Sequence, residues 1–127
     1  MAEVLLIHHA HGLTAGVLSF ADELRAAGHV VHAPDLYDGK TFSDLEEGVG
    51  YAKEIGFDTF TERGRLAAEG LPNDIVYAGF SLGAMPAQML AQTRPGARGA
   101  LLYHAAIHEQ YLAAGADIIE TNTFGAT

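Results

Sequence analysis

The hydrophobic positions of this chain fall into short continuous runs, separated by stretches of helical period and ended by glycine, proline or polar clusters. Val4 to His8 is the first run, and unbroken apolarity of that length fits a strand buried on both faces. Leu13, Val17, Ala21 and Leu24 then share one helical stripe, with Gly28 where a C-terminal cap belongs. His29 to Ala33 predicts a second strand, stopped by Pro34. Ser43 and Glu46 have the spacing of a capping box, and Leu45, Val49, Ala52 and Ile55 carry a helix to Gly56. A further helix begins near Asp58, is carried by Phe60 to Ala68, and ends at Gly70. Ile75 to Phe80 is the third strand. Leu82, Met85, Met89 and Leu90 form one face of the next helix, closed by Pro95-Gly96, with the two methionines as core filling. Gly99 to His104 predicts a fourth strand, Ile107 to Ala114 a short helix, and Asp117 to Glu120 the start of a fifth strand.

This alternation predicts one α/β domain over residues 1–127. The expected architecture is a three-layer sandwich with a five-stranded parallel sheet in the flavodoxin-like order 2-1-3-4-5, in which the carboxyl ends of strands 1 and 3 flank a crevice. His8 to His11 and Ser81 then share that crevice.

The third run gives the crevice its chemistry. Gly79-Phe80-Ser81-Leu82-Gly83 has the form of a nucleophile elbow, where a serine projects from a tight strand-to-helix turn and its neighbours at minus two and plus two must be small. The helix that follows aims its first amides at the turn, so Leu82 N–H is a candidate oxyanion donor. The competing reading is a plain turn with a capping serine.

Charge and composition narrow the partners. Sixteen acidic against seven basic residues give a net charge of −9, which disfavours nucleic acid and anionic membranes. Cysteine is absent, so thiolate metal sites, disulfides and a cysteine nucleophile are excluded. The opening MAEVLLIHHAHG has no basic region and too short an apolar run for a leader or a membrane span, and a cytoplasmic protein is expected.

Residues 1 to about 106 resemble the dienelactone hydrolase family of α/β-hydrolases, through HHAHGL after strand 1, APDLYDG after strand 2, the elbow GFSLGA, and LLYHAA in strand 4. The resemblance implies Ser81 as nucleophile, a first loop that lends a backbone N–H from His9 to the oxyanion hole, and Asp35 and Tyr37 at the crevice mouth. For Asp35 the alternative is a turn aspartate bonded to its own backbone. The family completes its triad with an aspartate and a histidine after two later strands, and this chain ends before that histidine.

The remaining piece, IHEQYLAAGADIIETNTFGAT, is similar instead to a helix and strand near the start of the homocysteine methyltransferase barrel of methionine synthases. That family binds zinc through cysteines, which this chain lacks, so methyl transfer is not carried over. The seam lies near Ala106 to His108. The two resemblances imply an engineered or fragment-shuffled chimera, a truncated hydrolase half with residues 107–127 supplied by a barrel, and an ending at Thr127 that looks cut.

Ser81 needs a base to take its proton. His9 and His11 on the first loop are the candidates, against a role as rim histidines. His104, at the end of the neighbouring strand, and His108, at the start of the next helix, are further candidates, and His29 and His32 read as structural. Glu120 is the candidate orienting acid, against a solvated strand-end residue. His9 and His11 alternate on an extended segment without further ligands, so no metal is expected. The first loop lacks phosphate-binding glycine patterns, so no cofactor is expected. The sequence therefore predicts a folded chimera with a vestigial elbow and no efficient catalysis. The alternatives are a small serine esterase or lactonase using Ser81, and a small-anion binding module at the crevice. Expected partners are a small ester, lactone or anion, with a homo-oligomer through the sheet edge left open.

Overall fold

The computed structural model describes residues 2–103 and the strand 118–121. Strands β1 (Glu3–Ile7), β2 (Val30–His32), β3 (Val76–Phe80), β4 (Gly99–Tyr103) and β5 (Ile118–Thr121) lie in the order β2-β1-β3-β4-β5. Every neighbouring pair is parallel. The helices are α1 (Ala15–Ala26), α2 (Leu45–Ile55), α3 (Phe57–Ala68) and α4 (Ala84–Thr93). The predicted helix at 107–114 lies outside the described residues, as does His104 at the predicted end of the fourth strand.

The apolar runs become strands because both faces of the sheet are covered. Val4, Leu6, Ala78 and Phe80 point to one side and pack with Val17 and Ala21 of α1. Leu5, Ile7, Tyr77 and Leu102 point to the other and pack with Phe60, Ala87 and Leu90 of α3 and α4. A strand buried on both sides has no polar alternation to display, which is the pattern of β1 and β3.

Two local expectations are corrected. The cap of α2 is Asp44, whose carboxylate accepts the Glu46 N–H at 3.0 Å. The Ser43–Glu46 capping box does not form, because the helix begins one residue later than that box requires, and Leu45 at its first position is 55% exposed. Met85 is not core filling: it is 51% exposed, and Pro86, Ala87, Leu90 and Ala91 supply the buried face of α4. Met89 alone of the pair packs against the core.

Close backbone contacts hold the first loop over the carboxyl end of the sheet. A Cβ on Gly48 of α2 would lie 2.3 Å from the Ala10 carbonyl oxygen, so α2 approaches this loop as only glycine permits. Within the loop, Gly12 N–H donates to the His9 carbonyl at 3.0 Å, and Phe42 N–H donates to the His11 carbonyl at 2.9 Å. Arg94, at the end of α4, donates to the Leu71 carbonyl at 2.9 Å and to the Tyr77 hydroxyl at 3.1 Å, tying the approach to β3 against the helix that leaves it.

Candidate nucleophile site

Ser81 follows directly on β3 and opens a single 3-10 turn, Ser81–Gly83, that runs into α4. Its φ is 51°, the left-handed region that a residue bearing a Cβ avoids. The flanking glycines explain how the turn is built. A Cβ on Gly79 would lie 2.2 Å from the Gly83 carbonyl oxygen, and a Cβ on Gly83 would lie 2.4 Å from the carbonyl oxygens of both Ile7 and His8. Neither distance is open to a side chain, so the turn closes on itself and packs against the end of β1 only with glycine at both places. Ser81 itself is exposed. Leu82 is the second residue of that 3-10 turn, at the helix N-terminus where backbone amides lack partners within the helix.

The register brings the first loop to the elbow. Ile7 pairs with Gly79, so His9 and Ser81 stand two residues beyond that pair on adjacent strands. The ring of His9 lies 6.2 Å from that of Phe80, the residue before Ser81.

The three loop histidines have different jobs. His8 is fully buried. Its Nε2 accepts the Leu36 N–H at 3.0 Å, so Nδ1 carries the proton and donates to the His9 carbonyl at 2.8 Å. Burial pushes its pKa down, against the opposing pull of that carbonyl and of Asp35. His8 is thus a neutral strap between the loops that follow β1 and β2. His9 Nδ1 accepts the His11 N–H at 3.2 Å, which places the proton of the neutral ring on Nε2. Its pKa is lowered to about 4, mainly by burial and then by His11 and His8. His11 shows the opposite tautomer: its Nδ1–H donates to the Phe42 carbonyl at 2.8 Å, leaving Nε2 as the basic nitrogen.

This arrangement changes the ranking of the candidate bases. A general base accepts a proton through a free lone pair and works best with a pKa near the operating pH. His9 meets neither condition, since its unengaged nitrogen is a donor and its basicity is low. His11 has the correct tautomer. Among the described residues no side chain hydrogen-bonds to Ser81 Oγ.

Asp35 and Tyr37 are placed differently from one another. The Asp35 carboxylate accepts the N–H groups of Tyr37 at 2.9 Å and Gly39 at 2.5 Å, which is the turn-closing role. That turn folds Tyr37 inward. Tyr37 is fully buried, donates its hydroxyl to the Gly48 carbonyl at 3.2 Å, and packs edge-on against His8. Burial, with Tyr51 beside it, pushes its pKa up to about 12. Tyr37 is a core residue and not part of the crevice mouth. Glu120 is described through its backbone alone. Gly79 pairs with Leu102, and Leu102 with Glu120, so Glu120 lies two strands from the elbow strand and three from β1. His108 lies outside the described residues.

Sequence reasoning missed an apolar cavity of about 430 Å³ beside the elbow, lined by His9, Gly16, Phe20, Glu23, Phe80 and Tyr103 among others. The available signal was Phe20, an aromatic three residues after Val17 on the buried side of α1. Among the described residues no three His, Cys, Asp or Glu side chains gather as a metal site, and no helix is long and apolar enough to cross a membrane.

The fold is similar to that of several solved structures. The protein m3DLH superposes with a TM-score of 0.73 at 20% identity, over 93% of this chain and 55% of its own. A protein assigned as a dienelactone hydrolase from Klebsiella pneumoniae subsp. pneumoniae gives 0.65 at 14% identity, over 95% of this chain and 72% of its own. One assigned to the α/β hydrolase superfamily from Xanthomonas campestris pv. campestris gives 0.53 at 18%, over 95% and 86%. The chain shares their fold. It spans little more than half the length of m3DLH. Residues 74–127 match the homocysteine S-methyltransferase family. That match starts well before the seam expected at Ala106 to His108, and takes in β3, the elbow, α4 and β4 as well as β5. No curated protein matches the sequence.

Proposed function

We propose that this chain is a chimeric α/β protein, a truncated hydrolase frame completed by a barrel-derived segment, whose elbow keeps the geometry of a nucleophile site without an efficient base. Support for the chimera comes from the two similarities, to hydrolases in fold and to the methyltransferase family in sequence over residues 74–127. The observation that carries the functional reading is Ser81 at φ 51° between two glycines that cannot be replaced. With Leu82 N–H and the His9 backbone N–H as oxyanion donors, Ser81 Oγ adds to the carbonyl of an activated aryl ester. The phenolate leaves and the serine proton passes to water. The acyl-enzyme then persists, because no efficient base stands among the described residues to activate the water that would release it.

The test is incubation with p-nitrophenyl acetate. The expected result is release of about one nitrophenolate per chain and an acetylated Ser81, absent in Ser81→Ala, with no sustained turnover. Sustained turnover dependent on Ser81 overturns the reading.

A second reading, a small serine esterase or lactonase, is favoured by the His11 tautomer alone. Its Nδ1–H is oriented by the Phe42 carbonyl, as a catalytic imidazole is oriented by its third group, and its Nε2 is free to accept. Turnover that disappears in both Ser81→Ala and His11→Ala establishes this reading in place of the first.

A further inference from the structure

The cavity beside the elbow has a chemical character of its own. Phe20 of α1 meets Phe80 edge-on at 5.3 Å and Tyr103 at 5.8 Å, while Phe80 and Tyr103 stack at 4.9 Å. These three rings form one wall on the α1 side of the sheet. Val17 adds an aliphatic contact, and Gly16 leaves room, since a Cβ there would meet nothing nearer than the Thr14 hydroxyl at 3.8 Å. The polar groups on the lining are few: His9, Ser19, Glu23 and the Tyr103 hydroxyl. His9 is neutral at pH 7, because its pKa lies near 4. The charge left on the lining is the Glu23 carboxylate.

We propose that this cavity binds a small neutral aromatic group, and that in the elbow reaction it seats the aryl or arylalkyl acyl group of the ester. An added ring extends the edge-to-face and stacked arrangement already present, which rewards an aromatic guest beyond its buried area. Glu23 and the net charge of −9 act against carboxylates and other anions. The cavity volume of about 430 Å³ lies within the range of small-molecule sites and accommodates a bicyclic ring. His9 and Phe80 line the cavity and also flank Ser81, so a ring held there lies next to the nucleophile. The acyl-group assignment rests on the proposed elbow chemistry; the binding of the ring does not.

The test is titration of the full chain with indole, followed by the side-chain and amide resonances of Phe20, Phe80 and Tyr103. These resonances are expected to shift together, with saturation below about 10 mM. Benzamide is expected to bind at least about fivefold more tightly than benzoate, through the Glu23 charge. Gly16→Phe fills the cavity and is expected to weaken indole at least about tenfold. Ser19→Trp, on the exposed side of the same wall, serves if the first variant does not fold. Ser81→Ala keeps full indole binding while losing acylation, which separates the cavity from the chemistry. Shifts confined to other residues, equal affinity for benzamide and benzoate, or unchanged binding in both filling variants overturns the proposal.

Discussion

His9 accepts the backbone N–H of His11 through Nδ1 at 3.2 Å, and this bond determines which nitrogen of the ring carries the proton. The nitrogen left over is Nε2–H, a donor. A histidine so engaged offers a donor and not a base. The Ser81 labelling rate with a fluorophosphonate is therefore expected to stay within about threefold in His9→Asn, whereas loss of a general base costs about a hundredfold or more. Intact-mass kinetics on the two proteins decide between these outcomes.

Gly79 and Gly83 are expected to be the least replaceable positions of the site. An Ala Cβ at either one would enter backbone that the surrounding strands and turn hold in place. Gly79→Ala and Gly83→Ala are each expected to lose about 3 kcal/mol or more of stability in urea unfolding, the upper end of overpacking costs. Gly50→Ala, on the exposed face of α2 with open space around it, is the matched control and is expected to gain stability.

Ser81 holds backbone strain. A serine at φ 51° is held where glycine sits at no steric cost. Ser81→Gly is expected to raise stability by up to about 1 kcal/mol while abolishing acylation, measured by urea midpoint and by intact mass. A destabilised glycine variant would show that the serine side chain supports the turn rather than straining it.

The buried histidines make stability depend on pH with a definite sign. The pKa values of His8 and His9 are lowered in the folded chain, so between the unfolded value near 6.5 and the folded values the unfolded chain binds more protons. Their contribution is present above pH 6.5 and is lost as pH falls, for His9 down through about 4. The urea midpoint is expected to decline steadily from pH 7 to pH 4.5, and His9→Asn to flatten part of that decline. A midpoint independent of pH across this interval would contradict the neutral, engaged histidines seen here.

The parallel α/β frame was legible because β1 and β3 are apolar on both faces, and the elbow because Gly79 and Gly83 stand at the two spacings its turn demands. Tyr37 was not. Its neighbours place it on a loop, and only the Asp35 turn, which bonds the Tyr37 and Gly39 amides, rotates it into the core. The histidine roles were equally hidden, since a tautomer is set by what each ring nitrogen meets: Leu36 for His8, the His11 amide for His9, the Phe42 carbonyl for His11. Met85 was misplaced because Pro86 and Ala87, less conspicuous as apolar residues, take the buried side of α4. The match from Asp74 onward, against a seam expected some thirty residues later, has a related cause. An apolar strand followed by a glycine turn and a helix is the unit of hydrolase sheets and of (β/α)₈ barrels alike, so the pattern over β3 and α4 fits either lineage.

The most direct measurement is the pH dependence of the second-order rate at which a fluorophosphonate modifies Ser81. An elbow with correct geometry and no base gives a rate that climbs tenfold per pH unit from about pH 6 to 9 without levelling, as the proton leaves to solvent. A rate that levels off within that range, and collapses in His11→Ala, would contradict that account and establish a working serine–histidine pair.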